Sequence, residues 1–218
     1  TTAYQFNNTE HAASLFALKE FGNIYSRIGN PTVGALEARL TALEDGAMCV
    51  ALSSCTSAVM YSLINIMSQG DNFISASQLY GGTYTMFDNI LPEYGINAKK
   101  VDITDFKAVE ESIDEKTRAI YCETITNPGL VVADITALSE IAHANGIPLI
   151  VDATFTTSAI QKSFDFGADI VVYSLTKWMS GHGRVIAGAV IEKGGFNWGN
   201  GNFPLYDKPD TSYGGCLL

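Results

Sequence analysis

Basic charge is among the things this sequence has least of. Its 13 lysines and arginines face 23 aspartates and glutamates, for a formal net charge of −10. Binding a phosphate backbone takes clustered cations that displace counterions, so nucleic acid is not an expected partner. Histidine is scarce as well: His11, His143 and His182 lie far apart and give no ligand spacing, so no metal is expected. The four cysteines, Cys49, Cys55, Cys122 and Cys216, form no Cys-x-x-Cys pair. Cys49 and Cys122 fall in apolar strand-like runs and are expected to be buried thiols. That pattern argues against a disulfide scaffold and for a reducing compartment, with the cytoplasm as the expected location. No hydrophobic run reaches membrane-spanning length, so no membrane contact is expected. What remains is 47% hydrophobic and only 17% charged, the composition of a globular chain with a large interior.

The interior-forming segments alternate. The first thirty residues read as irregular, with turn signals at Asn7-Asn8-Thr9 and Gly22-Asn23. Asn30-Pro31 then opens a helix with a capping side chain and proline in the first turn, and Gly46 is expected to stop it. "AMCVAL" reads as a buried strand. "TSAVMYSLINIMSQG" reads as a helix to Gly70, "NFISAS" as a strand, and about Gly82 to Leu91 as a helix. Further on come the strand "AKKVDI", a helix capped by Thr104, the strand "RAIYCE", and a helix closed by Asn145-Gly146. The strands "IPLIVD", "DIVVYS" and "VIAGAVIE" complete the pattern, which fades after about Gly194. Strands that are apolar throughout and separated by helices imply an α/β three-layer sandwich with a mostly parallel sheet.

Ligands of such sheets bind beyond the carboxyl ends of the strands, which directs attention to the residues just past each strand. Ser54-Cys55-Thr56 joins a strand to a helix start, either a plain cap or a place where free amides receive an anion. Asp152 ends an apolar strand as a helix cap or as a partner for a cation. Lys177, after Ser174 and Thr176, either snorkels to solvent or serves as an amine nucleophile toward an aldehyde. Each has an ordinary explanation alone. Together with Tyr80 on a third loop they match the needs of pyridoxal phosphate: an amine, an acid for the ring nitrogen, an anion nest and a stacking ring. A nicotinamide-binding domain is disfavoured, since no glycine fingerprint follows the first strand.

The segments "YSRIGNPT", "LYGGTY", "ETITNP", "VDATF" and "SLTKWMSGHG", in this order, resemble the Cys/Met-metabolism family of fold-type-I pyridoxal-phosphate enzymes. "FNWGNGNFPLYDKPDTSYGG" is most similar to its O-acetylhomoserine sulfhydrylase branch. The resemblance implies that Lys177 takes the cofactor aldehyde and shuttles protons, Asp152 pairs with the ring nitrogen, and Tyr80 stacks on the ring. It implies that Ser174, Thr176 and the amides of Cys55 and Thr56 meet the phosphate, and that Asn127 meets the ring hydroxyl. Tyr25 and Arg27 would reach the phosphate in a neighbouring subunit, so a homodimer or homotetramer is implied. The apolar strands around Lys177 are expected to desolvate its amine.

The implied reaction is γ-replacement on O-acetyl-L-homoserine by sulfide or a thiol. Cystathionine γ-synthase or γ-lyase chemistry, or a catalytically incomplete cofactor-binding fragment, are the alternatives. Gly82 stands where the family's methionine γ-lyases carry cysteine. Cys55, Ala153 and Tyr173 stand where a glycine, an asparagine and a histidine are usual, and Arg184 follows "GHG". The expected organisation is an N-terminal arm over 1–30 and a cofactor-binding α/β domain over 31–193. An irregular segment over 194–218 is expected to lead toward the family's C-terminal domain, outside this chain.

Overall fold

The sheet is built from seven short segments, and the fully buried ones lie away from its edges. The computed structural model describes residues 1–211 and 215. Its strands are β1 (Met48–Leu52), β2 (Asn72–Ala76), β3 (Asn97–Val101), β4 (Thr117–Glu123), β5 (Leu149–Asp152), β6 (Ile170–Ser174) and β7 (Gly188–Glu192). They lie in the order β1-β7-β6-β5-β4-β2-β3. Only β7 runs against its neighbours. The carboxyl ends of the other six therefore share one edge. Every residue of β4 and β5 is buried, as strands covered on both faces require. β1 departs from the expectation of a buried strand. It is the sheet's edge, and Met48 and Val50 are exposed on its open face.

The helices are α1 (Thr9–Phe16), α2 (Pro31–Glu44), α3 (Cys55–Ile64), α4 (Gly81–Thr85), α5 (Phe106–Glu111), α6 (Ile135–Ala144) and α7 (Thr157–Ile160). The N-terminal stretch read as irregular contains α1. Asn8, taken as a turn residue, caps it: its Oδ1 accepts the His11 amide at 2.7 Å. α2 starts as expected, with Asn30 Oδ1 accepting from Thr32 at 2.9 Å. It ends one residue early, because Asp45 takes the left-handed turn at φ 56°. Gly46 serves packing instead: a Cβ there would sit 2.8 Å from Ile191 Cγ2.

α3 stops at Ile64, short of Gly70. Ile66 and Met67 are buried as irregular chain, and an apolar run cannot distinguish that from a helix. Asp105, not Thr104, caps α5, its Oδ1 accepting the Ala108 amide at 3.0 Å. Thr104 is held instead by Asp102. The helix expected over about Gly82 to Leu91 is α4 running on through a wider and then a tighter turn to Tyr94.

Beyond β7 the chain is irregular but anchored. Phe196, Phe203 and Tyr206 gather around Trp198, Phe203 is fully buried, and Asn200 and Asn202 both donate to the Gly146 carbonyl. Residues 212–214 and 216–218, Cys216 included, lie outside the described residues. Cys49 and Cys122 are buried free thiols, as expected, and Cys55 is a half-buried free thiol. No helix among the described residues is long and apolar enough to cross a membrane.

Candidate cofactor site

Four strand ends and one strand start converge around a buried carboxylate. Asp152 closes β5 at 8% exposure. Its Oδ1 accepts the Thr154 amide at 2.9 Å, while Oδ2 faces the Tyr121 hydroxyl at 3.5 Å and the Cys55 thiol at 3.6 Å. Burial pushes its carboxyl upward, opposed by those hydrogen bonds. Among the described residues no cation pairs with it. A buried acid supported only by neutral donors is costly unless a positive partner arrives, and a protonated ring nitrogen is such a partner.

Thr154 ties this strand end to the next. Its hydroxyl accepts the Ser174 amide at 2.8 Å, so Asp152 and Ser174 are held to one frame. After Ser174 the chain makes a wide turn, Leu175–Met179, in which Lys177 leaves helical geometry at φ −95°, ψ −125°. Lys177 is exposed, as is Trp178 beside it. The expected desolvation of the amine by flanking strands is therefore not provided within this chain, because the turn carries the side chain past the strand end. Thr176 is committed locally. Its hydroxyl donates to the Ala187 carbonyl at 3.2 Å and accepts the Ala187 amide at 3.1 Å, so its proton is free for an anion only after rotation.

The anion nest lies at the start of α3. Ser54 caps the helix, its hydroxyl accepting the Ser57 amide at 3.1 Å. The first-turn amides of Cys55 and Thr56 have no intrahelical acceptor, as the helix geometry dictates. Directly behind them is Gly188 on β7. A Cβ on Gly188 would fall 2.2 Å from the Ser54 carbonyl oxygen and 2.6 Å from the Cys55 nitrogen, so only glycine lets the turn sit this close to the sheet. Sequence reasoning missed Gly188. The signal was a glycine inside a strand pattern, which marks a close backbone approach.

Glu123 opens the strand-end stretch through Asn127 that the ligand-site rule points to, but no role was expected of it. It ends β4 beside Asp152 in register, is 5% exposed, and accepts the amides of Tyr80 at 2.7 Å and Asn127 at 2.9 Å. A glutamate closing the apolar stretch Ala119–Cys122 was its signal. Tyr80 stands at the entry to α4 with a half-exposed ring, and Gly82 leaves room for it: a Cβ on Gly82 would be 2.7 Å from Tyr80 Cε1. Of the residues that departed from the resemblance, Cys55 supplies the thiol on Asp152, and Tyr173 donates to the buried Glu44. Ala153 is fully buried, and Arg184 lies on an exposed loop.

Tyr25 and Arg27 are elsewhere. They belong to an arm whose hydrogen bonds run within itself, Ser26 to Thr2 at 2.8 Å and Tyr4 to Ile24 at 3.3 Å. The Arg27 guanidinium lies 5.4 Å from the Tyr25 ring centre. Neither residue shares a described polar contact with Lys177 or Asp152.

A sequence profile described as Cys/Met metabolism PLP-dependent enzyme matches residues 1–207. An O-acetyl-L-homoserine sulfhydrylase of Leptospira meyeri is 46% identical over 215 residues, covering 99% of this chain and 49% of its own length. A crystal structure from Campylobacter jejuni, assigned as an O-acetylhomoserine (thiol)-lyase and containing N'-pyridoxyl-lysine-5'-monophosphate, superposes with a TM-score of 0.97 at 40% identity. That match covers all of this chain and 55% of the other. A cystathionine gamma-lyase of Lactobacillus plantarum, complexed with L-serine, gives 0.81 at 36% identity, covering 89% and 48%. The chain spans about half the length of the relatives it matches.

Proposed function

The chain belongs to the Cys/Met metabolism family of pyridoxal-phosphate-dependent enzymes, and we propose that the protein carrying it performs γ-replacement on O-acetyl-L-homoserine. Sulfide or a thiol takes the place of acetate, giving homocysteine or a thioether. The observation that carries this reading is the buried Asp152 carboxylate, with no cation paired to it among the described residues, beside a helix-start nest and one strand from Lys177. The similarity to sulfhydrylases supports the choice of substrate.

The residues fit the cofactor. Lys177 Nζ would bond its aldehyde carbon, Asp152 Oδ2 would face its ring nitrogen, and the Tyr80 ring would cover one face. The amides of Cys55 and Thr56 with the Ser174 hydroxyl would hold its phosphate, and Thr176 would join them by rotating its hydroxyl. Asn127 would meet the ring hydroxyl. When bound, pyridoxal phosphate supplies an electron sink for carbanion chemistry at the substrate's α-carbon. The Lys177 amine would be the group that moves protons at the α- and β-carbons of the substrate. A protonated ring nitrogen would hold Asp152 ionised, and its three donors work in the same direction against burial.

Tyr25 and Arg27 would complete the phosphate site of a neighbouring copy, so the working unit is a homodimer or a larger assembly. The free thiols Cys49, Cys55 and Cys122 are consistent with a reducing, cytoplasmic setting. The likeness to a cystathionine gamma-lyase supports elimination as the second reading.

The test uses the full-length protein. With pyridoxal phosphate it should develop a visible absorption band that Lys177→Ala abolishes without loss of fold, since Lys177 is exposed. It should release acetate from O-acetylhomoserine only when sulfide or a thiol is present. A keto acid formed without thiol would favour elimination, and no acetate release at all would overturn the assignment.

A further inference from the structure

Glu123 has no role in the chemistry above, yet it is buried, ionisable and bonded to both loops that would embrace the cofactor ring. Its Oε1 accepts the Tyr80 amide at 2.7 Å and its Oε2 accepts the Asn127 amide at 2.9 Å. The first loop leaves β2 and enters α4. The second leaves β4 and folds back through the Ile125–Val132 bridge. No side chain caps α4, and the Glu123 carboxylate takes that place from a different strand.

A second buried acid beside Asp152 is expensive to keep. The core offers no reason for it, since an apolar residue would fill the same volume. A glutamine would present only one acceptor oxygen, and its amide nitrogen would face a backbone N–H. What the position requires is two acceptors on one rigid fork.

We propose that Glu123 is a positioning residue that staples the Tyr80 loop to the Asn127 loop, so that the stacking ring and the Asn127 side chain move as one unit. This rests on the cofactor reading above. The staple works as a carboxylate. Burial, with Asp152 adding to it, raises the Glu123 carboxyl to about 7, against the pull of the two amides. The ionisable groups around it are Asp152 on β5, Tyr121 and Cys122 on its own strand, and Cys55 on α3, all acids. Below about pH 7 one oxygen becomes a hydroxyl and one arm of the staple weakens.

Hydrogen exchange in the full-length protein, read peptide by peptide without cofactor, tests the staple. In Glu123→Gln and Glu123→Ala the segments around Tyr80 and Asn127 should both exchange about tenfold faster or more, as loss of a bond to a charged acceptor implies, while β2 and β5 keep their protection. The dissociation constant for pyridoxal phosphate should rise by a similar factor. A folded variant in which either segment keeps its protection overturns the proposal. Should both variants fail to fold, the wild type decides. Between pH 8 and pH 6, after correction against β2 peptides, both loops should lose protection together. Separate responses, or none, overturn it. Failure of the wild type to bind pyridoxal phosphate would instead strike the cofactor reading, because the exchange pattern is measured without it.

Discussion

The strand-end cluster and the N-terminal arm are built on opposite terms. In the cluster, Thr154 ties Asp152 to Ser174, Cys55 reaches Asp152, and Glu123 binds the Tyr80 and Asn127 amides, with almost no exposed surface on the two acids. In the arm the polar contacts are internal, and the apolar side chains face outward: Phe16 and Ile28 are 65% exposed and Phe21 is 97% exposed. Isolated exposed hydrophobics are ordinary, but several on one segment mark a surface made to be covered. The half of the site that would hold the ring nitrogen is complete within one chain. The half proposed to close over phosphate and substrate, with Lys177, Tyr80, Tyr25 and Arg27, is exposed.

The closed half should break hardest. Gly188→Ala drives a Cβ into the Ser54 carbonyl and the Cys55 amide, both backbone atoms with nowhere to move. Overpacking against backbone should cost about 3 kcal/mol or more, seen as a lowered urea midpoint, and should abolish pyridoxal-phosphate binding. Near-normal stability and binding in this variant would mean that the turn is softer than the cluster as a whole.

The open half should behave in the opposite way. Arg27→Ala should leave stability within about 0.5 kcal/mol, since Arg27 is exposed and its ring contact with Tyr25 lies on the surface. It should nevertheless weaken cofactor binding by about 10- to 100-fold if a charged contact to phosphate is lost. At a cofactor concentration too low to fill the Arg27→Ala sites, mixing Arg27→Ala with Lys177→Ala chains should restore part of the activity, because half of the mixed sites then contain both residues. Activity that never returns on mixing would place Arg27 in the site of its own chain.

These two halves were not equally legible. The alternation of apolar strands and helices gave the sandwich, and the strand-end rule located Asp152, Ser54 and Lys177 before any geometry was known. Boundaries failed where a neighbour overrode local signals. Asp45 took the turn expected of Gly46 because Ile191 needed the room, and α3 ended early because Ile66 and Met67 were wanted in the core. Gly188 escaped, and Glu123 was reached as a strand end but given no role, because their work is done on backbone atoms of distant segments, and single-sequence patterns report side chains along one segment. Lys177 was placed correctly at a strand end but wrongly surrounded. Exposure there depends on what covers the open half, which this chain's own pattern does not encode.

The smallest effect lies within the closed half, at the Cys55 thiol. It donates to Asp152 Oδ2 over 3.6 Å, and burial with the nearby Asp152 charge pushes the thiol far up, so it stays protonated. Cys55→Ala removes one of the donors that hold the Asp152 carboxyl down, so that carboxyl rises further above 3.8, its value before burial. A folded carboxyl raised above its unfolded value contributes stability in full below the unfolded value and loses it as pH rises through the folded one. The variant therefore loses more than the wild type at neutral pH, by up to about 1 kcal/mol for one long bond. The gap should close as pH falls toward 3.8, where both proteins carry the neutral acid. Urea midpoints across a pH series measure it. A gap of constant size would assign the loss to the cavity left by the sulfur, and Asp152 would then be held by Thr154 and Tyr121 alone.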